Sequence, residues 1–129
     1  MNISIKISPA ELLDKISILE IKLLKIKDEE KIKNIKTEFD TLNPLVVKLF
    51  EKFKKPLKDK YLHLSEVNNK LWEIEDQIRL KEKDQEFDDK FIDLARSVYI
   101  VNDKRSTIKK FINLMTDSNL IEEKSYEEY

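Results

Sequence analysis

The sequence predicts an all-α fold: an antiparallel bundle of about four long helices with an extended N-terminal arm, in one domain covering residues 1–129. Three observations lead there. Among 129 residues there is no glycine, so primed hairpins, Gly-rich phosphate loops and glycine helix caps lack the residue that builds them. Hydrophobic and charged residues each make up 40% of the chain, which leaves little of the Ser, Gly and Pro that long loops require. Apolar residues recur three and four apart over most of the length, the period of an amphipathic helix.

Residues 1–7 are the exception. Ile3, Ile5 and Ile7 alternate with Asn2, Ser4 and Lys6, a strand period. Such a segment must pair with another, pair across a dimer axis, or lie on the bundle as an arm. At Ser8-Pro9-Ala10-Glu11 the pattern changes to a reciprocal capping box, with Ser8 at the N-cap, proline at the first helical position and glutamate at the third. Helix one then runs to about Lys27 on the stripe Leu12, Ile16, Leu19, Leu23 and Ile26. Asp28, Glu29 and Glu30 open a second helix carrying Ile32, Ile35, Phe39 and Leu42, which Pro44 is expected to break or kink. Leu45 to Phe53 forms a further helical segment, and Pro56 begins the next element. Helix three, about Leu57 to Glu82, carries Leu57, Tyr61, Leu64, Asn68, Leu71, Glu75 and Ile78 in heptad register. Asp88 caps a fourth helix reaching about Met115, with Phe91, Leu94, Val98, Val101, Arg105, Ile108 and Ile112 in register. The tail, residues 117–129, is acidic and aperiodic, suited to closing over a cleft or docking on a partner subunit.

Composition narrows the function classes. The net charge of −1 provides no broad footprint for nucleic acid. The absence of cysteine removes disulfides, thiolate zinc sites and a cysteine nucleophile. No apolar run reaches membrane-spanning length and no leader is evident, so the expected location is the cytoplasm, without a membrane partner.

The candidate chemistry lies where the stripes are interrupted. Of 25 basic residues only three are arginine, Arg79, Arg96 and Arg105, all within one stretch of 27. Arginine is needed where a carboxylate or phosphate must be gripped by two parallel hydrogen bonds. Arg105 has no acid three or four residues away, so its partner must be distant or external; Arg79 has Glu75 and Asp76 within one turn. The expected ligand-binding set is Lys15, Lys22, Asn68, Arg79, Arg96, Tyr99, Asn102 and Arg105, converging on a phosphate or carboxylate between helices one, three and four. Glu75 is the candidate acid/base should a reaction be catalysed, with no organic cofactor and no metal. The competing expectation for the same residues is a buried polar network that fixes helix register. His63, the single histidine, is expected at the surface or boundary, and Trp72, Phe87, Phe91 and Tyr99 in the core.

A second, acidic pattern pairs Glu11-x-x-Asp14 with Glu73-x-x-Asp76, spacings that can share a divalent ion if two helices meet. This is similar to the acidic pairs of all-α nucleotide pyrophosphohydrolases.

Longer motifs carry a closer likeness. Ser8-Pro9-x-Glu11-Leu12-Leu13-Asp14-Lys15-x-x-Ile18-Leu19, Val67-Asn68-x-x-Leu71-Trp72-x-Ile74-Glu75-Asp76-x-Ile78-Arg79, Leu94-Ala95-Arg96-Ser97-Val98-Tyr99-x-x-Asn102-Asp103-x-Arg105 and Glu122-Glu123-Lys124-Ser125-Tyr126 together resemble a small bacterial and viral family known as a domain of unknown function. The match thins to helical pattern over residues 28–60. This resemblance implies that all three arginines and the Glu-Glu-Lys-Ser-Tyr segment belong to a family pattern, and it implies no activity. A looser likeness to helical chorismate mutases implies a type of site, a dicarboxylate held by Arg and Lys, without the arginine those enzymes place near the start of the first helix.

The functional expectation is a small helical protein, dimeric through its arm or an apolar face, that binds a small anionic ligand in an inter-helix cleft. The alternatives are a noncatalytic protein–protein adaptor and a metal-dependent nucleotide pyrophosphohydrolase.

Overall fold

Ser8 ends the N-terminal arm by accepting a hydrogen bond from the Glu11 backbone N–H at 3.2 Å, and Pro9, in the first turn, has no N–H to leave unpaired. The computed structural model describes residues 1–129 and contains three helices and no strand: α1 (Pro9–Lys25), α2 (Glu29–Lys83) and α3 (Asp89–Met115). The capping box is half formed. Glu11 does not reach back to Ser8; its carboxylate accepts instead from Lys109 on α3 at 2.7 Å. The Ala10 N–H, another orphan of the first turn, donates to Asn113 Oδ1 at 3.0 Å. The last turns of α3 thus help to cap α1.

Three helices replace the four expected, because the expected second and third run on as one element across a kink at Lys54; Pro44 does not interrupt that element. Its ring is exposed, and so is Asp40, whose carbonyl loses its intrahelical partner. The 55-residue element departs from helical geometry only at Lys54, with φ 53° and ψ −142°, two residues before Pro56. There two helical runs meet in a kink. Pro56 falls in the first turn of the second run, where its missing N–H costs nothing. Asp88 acts as an N-cap as expected, and Asp28 does so too, accepting from Phe91 N and Lys31 N respectively, each at 3.0 Å.

Without glycine α2 and α3 still close in left-handed turns. Gln85 and Asp117 both take φ 55°. Each is flanked by the paired bonds of a Schellman motif, Glu86 N to Lys81 O with Gln85 N to Glu82 O, and Ser118 N to Asn113 O with Asp117 N to Leu114 O.

The core is in two parts. The larger contains Leu12, Leu13, Ile16 and Leu19 of α1, Ile35, Val46, Leu57 and Leu64 of α2, and Ile112 of α3. The smaller is built by α2 and α3 alone, from Leu71, Ile74, Leu94 and Val101. The second run of α2 and α3 form an antiparallel hairpin, with Lys60 over the Phe111 ring at 4.2 Å at one end and the turn at residues 84–88 at the other. In both helices the switch from one core to the other falls on a polar residue: Asn68 lies between Leu64 and Leu71, Arg105 between Val101 and Ile108.

The arm forms no strand and makes no backbone hydrogen bond. Ile3 and Ile5 are 78% and 76% exposed, over a hollow of about 890 Å³ that Leu42, Leu45 and Leu49 also line. His63 is exposed. Phe87 and Tyr99 also stand outside the core, at 54% and 43% exposure. No helix is long and apolar enough to cross a membrane.

Candidate polar site between α1, α3 and the tail

The first half of α1 is buried on more than one face, so side chains beside its apolar stripe are enclosed as well. Ala10, Leu13, Asp14 and Ser17 are all buried there. A carboxylate that is 4% exposed must be paired or neutralised, and Asp14 is paired from two helices. Arg105 of α3 grips it with two parallel bonds, Nε to Oδ1 at 3.1 Å and Nη2 to Oδ2 at 2.5 Å. Asn68 of α2 donates to Asp14 Oδ1 at 2.8 Å and to Ser17 Oγ at 2.7 Å, while Ser17 in turn donates to the Asp14 carbonyl at 2.8 Å. Asn102 accepts from Arg105 Nη1 at 3.4 Å. Lys109, one turn beyond Arg105, reaches Glu11 at 2.7 Å, Glu122 at 3.3 Å and Asp14 at 3.5 Å.

Burial alone would raise the Asp14 pKa. The hydrogen bonds from Arg105 and Asn68, with the charges of Arg105 and Lys109, outweigh it and hold the group below its ordinary value. Burial likewise works against the Lys109 ammonium, but Glu11, Asp14 and Glu122 together raise its pKa. Both groups are therefore ionised at neutral pH.

The tail lies along α3. Glu122 pairs with Lys109, Glu123 with Lys110 at 3.7 Å, and the Tyr129 hydroxyl donates to Asp103. Between tail and helix is a hollow of about 80 Å³ lined only by polar side chains: Asn102, Arg105, Ser106, Lys109, Glu122 and Lys124. Lys124 reaches Glu122 at 3.2 Å, and Lys124 and Lys109 hold the Glu122 carboxyl below its usual range. Next to it, sharing Asn102 and Lys124, opens a larger hollow of about 440 Å³ with Val98, Tyr99, Tyr126 and Tyr129 in its wall.

Of the residues singled out from sequence, Asn68, Asn102 and Arg105 come together. Tyr99 lines the adjoining hollow with Asn102, and the others do not join them. Arg79 lies 3.9 Å from Glu75 in an exposed i,i+4 pair, with side chains 79% and 49% open to solvent. Arg96 is exposed. The three arginines therefore share no common cleft, because α1, which encloses Arg105, contributes nothing to the core beside the other two. Lys15 pairs with Glu38 at 2.8 Å, and Lys22 lies half-buried in the last turn of α1. Tyr99 faces the larger hollow, edge-on to Tyr129 with ring centroids 5.0 Å apart. Glu11 and Asp14 are engaged by Lys109 and Arg105, Glu73 and Asp76 are exposed, and no cluster of three His, Asp or Glu side chains assembles to hold a metal ion.

Lys109 and Asn113 were not singled out by sequence reading. The signal was present: Arg105, Lys109 and Asn113 follow one another at intervals of four, a polar line on one face of α3. Ser106 carried no signal.

A family model for a family of unknown function (DUF6165) matches residues 3–129. Neither the curated proteins nor the solved structures gave a match.

Proposed function

The chain belongs to this family of unknown function, and we propose that it binds a small anionic group, a phosphate or a carboxylate, in the polar hollow between α3 and the tail. The observation that carries the reading is Glu122: a carboxylate already sits in that hollow between Lys109 and Lys124. Three cations, Arg105, Lys109 and Lys124, meet three acids, Asp14, Glu11 and Glu122. The set is balanced as folded, so a guest anion must take the place of Glu122. With Glu122 swung out, the remaining five groups carry a net +1, Ser106 and Asn102 supply neutral polar groups, and Arg105 Nη1 has only its long bond to Asn102 to exchange. Only the Glu122 side chain, 45% open to solvent, has to turn outward, so Lys124 and the tail's course along α3 are kept.

Binding, rather than catalysis, is the proposal. Glu75 lies outside this hollow, and the acids that would serve a metal-dependent hydrolase are separately engaged or exposed. The test is thermal denaturation with inorganic phosphate at low ionic strength. Phosphate should raise the melting temperature saturably in the native protein and fail to do so in Lys124→Glu. A rise of equal size in both proteins, or none in the native one, overturns the reading.

The exposed isoleucines of the arm support a second reading, self-association through residues 1–7. Sedimentation should then show a dimer that is lost when those residues are removed.

A further inference from the structure

Resting on the anion site proposed above, we infer that its ligand is a nucleoside monophosphate, with phosphate in the polar hollow and base in the tyrosine-lined one. The two hollows are contiguous, sharing Asn102 and Lys124. The polar one, at about 80 Å³, admits little more than one phosphate or carboxylate group. The other, at about 440 Å³, has the size of a small-molecule site.

Its wall is built for a ring. Tyr99 and Tyr129 meet at an interplanar angle of 78°, so together they make a corner that offers one aromatic face and one edge. Tyr126 adds a third ring beside the Lys124 ammonium, 5.5 Å from its centroid. Tyr99 is 43% exposed, and its ring packs on Tyr129 of the tail rather than into the helical core.

Charge is distributed unequally along the pair of hollows. Arg105 and Lys109 stand at the polar end alone and Lys124 lines both hollows, while Glu127 and Asp103, the latter already accepting from the Tyr129 hydroxyl, stand in the wall of the aromatic end. A plain aryl anion would bring no donor to Glu127 or to the remaining lone pairs of Asp103. A nucleotide carries hydrogen-bond donors, ribose hydroxyls and an exocyclic amine, at the end away from its phosphate. Length agrees too: from Tyr99 to Ser106 along α3 is about 10 Å at 1.5 Å per residue, the span of one nucleotide rather than a dinucleotide.

Calorimetric titration with inorganic phosphate, adenosine and adenosine 5′-monophosphate tests this, using the full chain, Tyr99→Ala and Tyr99→Phe. The monophosphate should bind the native protein about tenfold more tightly than phosphate, the scale of one base–tyrosine stack. Tyr99→Ala should remove that advantage and leave phosphate affinity unchanged, and Tyr99→Phe should keep it. Equal affinity for phosphate and nucleotide in the native protein, or a Tyr99→Ala loss shared equally by both, overturns the ring site while the anion site stands. If phosphate itself does not bind, the anion site has failed and this inference fails with it.

Discussion

Asn68 and Glu75 occupy the same face of α2 two turns apart, yet they live in different surroundings. Around Asn68, α1 lies against both other helices, and the polar groups are closed in: Asp14 is 4% exposed and held by a two-pronged arginine. Around Glu75 only α2 and α3 build the core, Ile74 rather than Glu75 turns inward, and the carboxylate meets Arg79 at 3.9 Å in solvent. The two arginine–carboxylate pairs are alike in composition and unlike in consequence. What separates them is the third helix, which excludes water and so makes each lost partner costly.

That contrast ranks the substitutions that can break it. Asp14→Asn leaves Arg105 and Lys109 facing a neutral amide in a largely closed space and should cost about 3–5 kcal/mol, the range for stripping one partner from a buried pair, measured by urea unfolding. Asn68→Leu removes two buried donations, to Asp14 and Ser17, and should cost about 1–3 kcal/mol. Asn113→Ala uncaps the Ala10 N–H and should cost about 1 kcal/mol, with faster amide exchange confined to the start of α1. Arg79→Ala should not shift the unfolding midpoint measurably. If it destabilises as much as Asp14→Asn, the distinction between the two regions collapses.

The pH dependence sharpens the same comparison. Asp14 is held below its ordinary value of 3.8, so its contribution is present above that value and is lost as pH falls through the lower folded pKa. Lys109 is raised above 10.5, so its contribution is present below 10.5 and is lost as pH rises through the higher one. Acid unfolding monitored by circular dichroism should therefore be blunted in Asp14→Asn relative to its own neutral stability.

Much of the helical plan was legible in the sequence because caps and periodicity are local. Ser8, Asp28 and Asp88 announced their helices, and the α3 stripe from Leu94 to Ile112 faces inward as its spacing demanded. Pro44 does not break α2, as one of its two expected outcomes required, since an exposed proline can be carried within a helix. The site was legible only in part. Arg105 could be marked as lacking a local acid, and Asn68 as polar on an apolar stripe, but their common partner Asp14 lies 91 residues from Arg105 in the chain. Asp14 stands beside the α1 stripe, and only the burial of more than one face of that helix turns it inward. The tail's course along α3 had no periodic signal at all, being set by single pairs such as Glu122 with Lys109.

The most direct measurement is the phosphate affinity of Glu122→Gln, read by calorimetry beside the native protein at low ionic strength. Removing the internal carboxylate leaves the cations of the hollow unopposed at that position, so binding should tighten severalfold. An affinity that is unchanged or weaker would mean that Glu122 does not hold the place of a ligand, and the hollow would then be the seam by which the tail is fastened to α3.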